Sequence, residues 1–423
     1  MTPSAAEFVS LLPEGSFVDD EGQLVVGGCR LVDLADQYGT PVLVVDEASV
    51  RSQVRRFDAS MREGWANSRV VFASKAFPCT AMYEVMAQEG VGVDVAGGGE
   101  LVMALAGGVS PSKIIVHGNA KTTEELSMAL EAQVGTIVID NFDDIDRLEQ
   151  LARREQGVLI RVLPRVSADT HEAIATGQVG SKFGLDGEQA LEAIARVRAS
   201  EHLRLDGLHA HIGSQILDTG PFALEVAALA EYGDFDVYDL GGGLGVRYTY
   251  HQDPPSPEEW CAAVTSAARR HLPSSARLIV EPGRSMVARS GFTLYRVTTV
   301  KRGSSTFVAV DGGMADNLDV SLYGERFEAS VVDRVGGGEL VTLVGRHCES
   351  GDTLIRGVAM RSPRVGDVVV VAATGAYTYT MQNNYNGALR PPLVFVGGGR
   401  SQLRVRRETY TDFFRRDVPD EGG

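Results

Sequence analysis

Of the 40 basic residues in the chain only five are lysines (Lys75, Lys113, Lys121, Lys182 and Lys301), so the search for a reactive amine is short. Lys75 is the one charge in an otherwise apolar run, VVFASKAF at residues 70–77. An amine buried in such a run has a depressed pKa and becomes a nucleophile able to form a Schiff base. A lysine that snorkels out of a strand end fits the same run, and position alone leaves both readings open. Lys301 stands beside Arg302 and reads as solvated, Lys113 precedes a strand, and Lys121 and Lys182 fall in polar loops. Three further groups could act with an amine. Gly241-Gly242-Gly243 follows the apolar residues 237–240, and the missing side chains would let backbone N–H groups close on a phosphate. A tight turn explains the glycines equally well, and without a Walker lysine or GxGxxG spacing no nucleotide is indicated. His209 and His211, at i and i+2, face one side of a strand. Metal ligation, stacking on an aromatic cofactor and a structural pair all fit them, and no third metal ligand has convincing spacing. In Glu281-Pro282-Gly283-Arg284 the carboxylate could hold a cofactor ring nitrogen protonated and the arginine bind phosphate or carboxylate. An ion pair capping the strand is the alternative.

The elements that position these groups alternate. Short β-branched runs recur at residues 42–46, 70–74, 92–96, 114–118, 136–140, 158–164, 205–213, 237–243 and 278–283, most of them separated by stretches with helical spacing. Such alternation means a parallel sheet with helical crossovers. Eight or nine units in this length predict a (β/α)8 TIM-type barrel over residues 38–285, with an open doubly wound sheet as the alternative. Polar clusters fall at the strand ends, where a barrel gathers its chemistry: Ser74-Lys75, Asp94, His117-Gly118-Asn119, His209/His211, 241–243 and 281–284. After residue 285 strand-like runs with Gly/Pro/Asp turns replace the helical pattern, which predicts a C-terminal β-domain that also takes in the N-terminal segment, residues 1–37. There Cys348-Glu349-Ser350-Gly351-Asp352 ends a strand. A lone cysteine is usually core, but the acids and glycine around this one predict an exposed loop. Gly375-Ala376-Tyr377 and Asn384-Tyr385-Asn386 set polar aromatics after a further strand.

Composition bounds the partners. A net charge of −16 offers no basic stripe for nucleic acid. No apolar run approaches the roughly 20 residues of a membrane span. The first residues show no signal-peptide pattern and the four cysteines no disulfide-like spacing, so a reducing cytoplasm is expected.

Taken in order, FASKAF (72–77), GGGEL (97–101), HGNAK (117–121), HEAIATGQVGSKFG (171–184), HAHIGSQ (209–215), GGGLG (241–245), EPGR (281–284), DGGM (311–314), HCESGD (347–352) and GAY with YN (375–377 and 385–386) resemble the alanine-racemase-type (fold type III) decarboxylases that use pyridoxal 5'-phosphate (PLP). Within them they resemble the diaminopimelate decarboxylase family, over about residues 31–395. The resemblance implies that Lys75 holds PLP and His211 stacks on its ring, while Glu281 pairs with the ring nitrogen. It gives the phosphate to Ser214, Gly241, Gly242, Gly243 and Tyr377, with Arg284 on phosphate or substrate carboxylate. Substrate contacts would come from Arg284, Asp319, Tyr323, Glu349 and Tyr377. Cys348 and Glu349 would enter the partner's active site in an obligatory homodimer, Cys348 giving a proton after CO2 leaves and Glu349 reading the distal amine. The implied activity is meso-diaminopimelate to L-lysine plus CO2, a step of lysine biosynthesis.

Two positions depart from that family's pattern: Gly97, where serine is frequent, and Asp319, where an arginine is expected to grip the substrate's distal carboxylate. An acid there would repel that carboxylate, unless Arg326 compensates. This opens a second enzyme reading, decarboxylation of D-lysine or D-ornithine. A regulatory homologue without activity is the reading from another class, and the intact Lys75, Glu281 and Cys348 argue against it.

Overall fold

The structure is a computed structural model that describes residues 3–164 and 181–419. Most of the HEAIATGQVGSKFG motif, residues 171–180, lies outside the described residues. The chain divides into two compact units, residues 50–247 with 252–287, and residues 1–49 with 248–251 and 288–423.

The first unit is a closed parallel barrel of eight strands, Ser68–Ala73, Gly92–Val95, Ile114–Val116, Thr136–Ile139, Gln156–Arg161, Leu203–His209, Val237–Asp239 and Arg277–Val280, the last pairing with the first. Val71, Ile115, Val138, Leu159 and Ile279 form one apolar cluster, one residue from each of five strands. Helices such as Thr123–Ala132 and Pro257–His271 follow the strands, each opened by a capping box, Thr122 with Glu125 and Ser256 with Glu259. Every strand thus points its C-terminal end the same way, and the chemistry-bearing loops share one rim.

The second unit is built on one sheet in the order Thr353–Met360, Glu339–Val344, Thr306–Val310, Gly291–Arg302, Val42–Asp46, Leu393–Gly397 and Arg400–Val405, with Val368–Val371 and Ala329–Val331 joined to the side of Gly291–Arg302. The N-terminal strands Phe17–Val18, Leu24–Val26 and Cys29–Arg30 make a small sheet of their own within this unit. The strand expected to open the barrel is here: Val42–Asp46 pairs antiparallel with Gly291–Arg302 and parallel with Leu393–Gly397. Its five residues are all buried, and a run buried on both faces reads the same in a barrel as in this sheet. The other eight expected runs are the eight barrel strands. Among the described residues no helix is long and apolar enough to cross a membrane.

Candidate active site

Strand Ser68–Ala73 ends in a single 3-10 turn, Ser74–Ala76, whose Ser74 N–H donates to Asp94 Oδ1 at 3.0 Å. The turn keeps Ser74 and Ala76 buried and sends Lys75 outward, so of the two readings its position left open this residue takes the exposed one. Its charge is felt by Asp94, Glu100 and His211. The buried amine of the barrel is Lys121, expected in a polar loop. Its Nζ donates to the carbonyls of Gly118 and Val138 (2.8 Å) and pairs with Asp144 at 2.6 Å. All three of its protons are committed, which leaves no lone pair for a carbonyl. Lys113 donates to Gly90 O, and Lys182 lies 5.0 Å over the Phe183 ring.

Two imidazoles meet the carboxylate of Glu281. Its carboxylate is buried, with Oε1 2.7 Å from His117 Nε2 and Oε2 3.4 Å from His209 Nε2. Burial alone would push Glu281 up, but His117 and His209 outweigh it and hold the carboxyl well below its usual range. Asp239 and Asp94 go the other way, pushed well up by burial and then by the charge on Glu281. Three buried acids are thereby driven apart: one ionised, two inclined to keep a proton. His209 is pushed down to about 3, chiefly by burial, so it is neutral. His211 also lies well below its usual range, from burial and then from Lys75. Gly242 N–H donates to His211 Nδ1 at 3.3 Å, which puts the ring's remaining proton on Nε2.

The glycines are required by contact. A Cβ on Gly241 would stand 2.6 Å from Ala210 O, one on Gly242 2.2 Å from Glu281 O, and one on Gly243 2.6 Å from Gly213 O. Gly241 and Gly243 also have φ of +57° and +121°, where side chains are disfavoured. Two of the N–H groups expected to face a phosphate turn inward instead, Gly241 to Asp239 Oδ1 and Gly242 to His211. Close by, Arg284 Nε donates to Ser214 Oγ at 3.2 Å.

In the second unit Cys348 and Glu349 are exposed, as the flanking residues predicted. Cys348 N–H donates to Asn386 Oδ1 at 3.0 Å and Gly351 N–H to Glu349 Oε1 at 3.2 Å. Tyr377 is half-buried with φ +63°, a conformation rare for a residue with a side chain. Asp319 opens the short helix Asp319–Tyr323 and is only 1% exposed. Tyr323 is half-buried and Arg326 exposed.

The roles of His117, Asp239 and Asp94 were not visible in the sequence. Each stands at a strand end, and that position was the only signal. His117, His209, Asp239 and Glu281 converge with their ligand-type atoms all within 4.8 Å of one another, although residues on four different strands show no ligand spacing in the chain.

This rim suits a flat, phosphorylated, nitrogen-protonated cofactor. It has a glycine-lined approach, an ionised buried carboxylate and a neutral imidazole, with Nδ1 of His209 and Oδ2 of Asp239 lacking a hydrogen-bond partner among the described residues. Comparison with known proteins gives the class. Residues 47–288 match the pyridoxal-binding domain of the pyridoxal-dependent decarboxylases, and the chain is a PLP-dependent carboxy-lyase. The diaminopimelate decarboxylases of Actinosynnema pretiosum subsp. auranticum and Bacillus subtilis (strain 168) are 43% and 42% identical to it, over 99% and 96% of this chain and 98% and 97% of theirs. A crystal structure of diaminopimelate decarboxylase from M. jannaschii in complex with L-lysine superposes with a TM-score of 0.91 at 30% identity, covering 96% of this chain and 98% of that one. The chain belongs to the diaminopimelate decarboxylase family.

Proposed function

We propose that the protein decarboxylates meso-diaminopimelate to L-lysine. The observation that carries this reading is likeness over nearly the whole length to proteins of that name, with Lys75, Glu281 and Cys348 all present. PLP, when bound, supplies an electron sink for the carbanion left as CO2 departs. Lys75 is the residue that would hold it, because it is exposed at the rim while the Lys121 amine is buried and held by Asp144 and the Val138 carbonyl. Glu281 would hold the ring nitrogen's proton, and His117 keeps Glu281 ionised by donating Nε2–H to Oε1. His211, neutral and fixed by Gly242, offers a flat uncharged face for stacking. Ser214, Arg284, Gly243 and Tyr377 are assigned to the phosphate, with Gly241 and Gly242 shaping the approach.

Cys348 and Glu349 are assigned to the partner's active site in a homodimer, the thiol giving a proton to Cα and the carboxylate reading the distal amine. Their exposure supports this, since a group that serves another subunit must leave its own. The work is placed in the cytoplasm, in keeping with four free cysteines.

The test is product analysis by chiral chromatography with meso-diaminopimelate, D-lysine and D-ornithine. L-Lysine and CO2 from meso-diaminopimelate, at a kcat/KM about 100-fold or more above the other two, is expected. Equal or better turnover of D-lysine or D-ornithine overturns the substrate and leaves the decarboxylase class intact.

A further inference from the structure

The opposite, N-terminal mouth of the barrel holds a cavity of about 370 Å³. Arg69 pairs in register with Ile279, and two residues on lies Val71. Val71 and Ile279 both belong to the apolar cluster, so the period-2 rule turns Arg69 inward, beneath that cluster. Arg277, two residues before Ile279, lies on the same face, and both arginines line the cavity. Burial and then the neighbouring Arg277 pull Arg69 below the usual arginine range.

Neither guanidinium has an ion pair among the described residues, and of the buried carboxylates only the charge of Asp239 is felt by Arg69. Arg69 makes no hydrogen bond or ion pair among the described residues, and Arg277 has Asn67 Oδ1 at 3.5 Å. Two acids line the cavity with the arginines, Asp206 and Asp236, and the carbonyl of Asp236 accepts from Arg277 N–H at 2.7 Å. Asp206 is bound by Arg204 at 2.6 Å, and Arg204 also takes Glu155 at 2.9 Å. Asp236 is exposed, with no ion pair to either arginine. The absence of a side chain at Gly157, where a Cβ would stand 2.4 Å from Asp206 Oδ2, is what leaves room for the Arg204–Asp206 pair.

We infer that this mouth is a binding site for a small oxyanion, a phosphate or a carboxylate, gripped by Arg69 and Arg277. The planar guanidinium fork matches both ligand types. An anion between the two arginines replaces their repulsion with charge-assisted hydrogen bonds, and the cavity lies within the roughly 300–1,000 Å³ of small-molecule pockets. The inference stands apart from the substrate assignment and uses none of its residues.

The experiment is calorimetric titration of the holoenzyme, whose cofactor already fills the opposite rim, with inorganic phosphate and separately with succinate at constant ionic strength. One saturable site per chain is expected, and the arm that saturates names the source. Arg69→Gln and Arg277→Gln are each expected to weaken binding about tenfold or more. Arg277 is exposed, so its variant serves should Arg69→Gln fail to fold. Saturation in neither arm, or unchanged affinity in the variants that fold, overturns the site.

Discussion

The residues around Glu281 and those around Cys348 are prepared in opposite ways. Glu281, His209 and Asp239 are buried, with His117 beside them, and burial and then their mutual charges set the ionisation of those three before any ligand arrives. Cys348 and Glu349 are exposed, and what fixes their loop is Asp352, whose carboxylate takes the N–H groups of Met314 and His347 at 2.7 Å each. A buried cluster carries its electrostatics with it. An exposed pair becomes selective only once something covers it and removes water.

The largest expected effect separates cofactor chemistry from folding. Lys75→Ala should lower kcat by on the order of 1,000-fold or more while leaving Tm nearly unchanged, because the side chain is exposed. Borohydride reduction and peptide mapping of the wild type should put the phosphopyridoxyl label on Lys75; label on Lys121 or Lys182 would refute the assignment. The next effect asks whether the exposed pair serves a second subunit. Lys75→Ala and Cys348→Ala should each be inactive alone, and co-expressed they should recover about a quarter of the activity, from hybrid dimers with one intact site. No recovery would mean each chain builds its own site.

A smaller effect tests the preset cluster. His117→Asn removes the partner that holds Glu281 low, so the Glu281 pKa rises toward and past its ordinary 4.5. The group must be ionised to work, so activity should be lost on acidification at a higher pH than in the wild type. The acid limb of kcat/KM should move upward, with a loss of about tenfold or less at neutral pH. An unmoved limb would show that His117 does not control Glu281. The smallest effect concerns Asp319. Because it is buried, Asp319→Asn should change the ratio of kcat/KM for meso-diaminopimelate over D-lysine by less than about threefold. A rise of about tenfold would instead place this acid against the substrate's distal carboxylate.

What was legible in the sequence follows from what local pattern encodes. The strand–helix alternation announced the barrel because each of its strands neighbours the next in the chain, so period and order suffice. The pattern does not place Val42–Asp46, because its partners, residues 291–294 on one edge and 393–396 on the other, lie far along the chain and a fully buried strand carries no mark of which sheet it joins. Lys75 was found by rarity, but its exposure depends on a single 3-10 turn that apolar neighbours conceal. Asp319 was flagged as a change of charge, yet its burial is a property of tertiary packing that composition does not reveal. Asp239 carries no mark in the chain, although it pairs in register with His209 on the neighbouring strand, and His117 stands out only as a polar residue at a strand end, because no spacing rule foretells which strand-end side chains will meet.

The position of Val42–Asp46 also constrains how the chain is made. This strand leaves the ribosome before any of the barrel, yet its partners Phe292 and Val394 follow roughly 250 and 350 residues later. The barrel strands can close as soon as Arg277–Val280 has emerged, while an early apolar strand with both edges open waits for its sheet. A chain truncated before Leu393 should leave one edge of that strand open as a seed for aggregation.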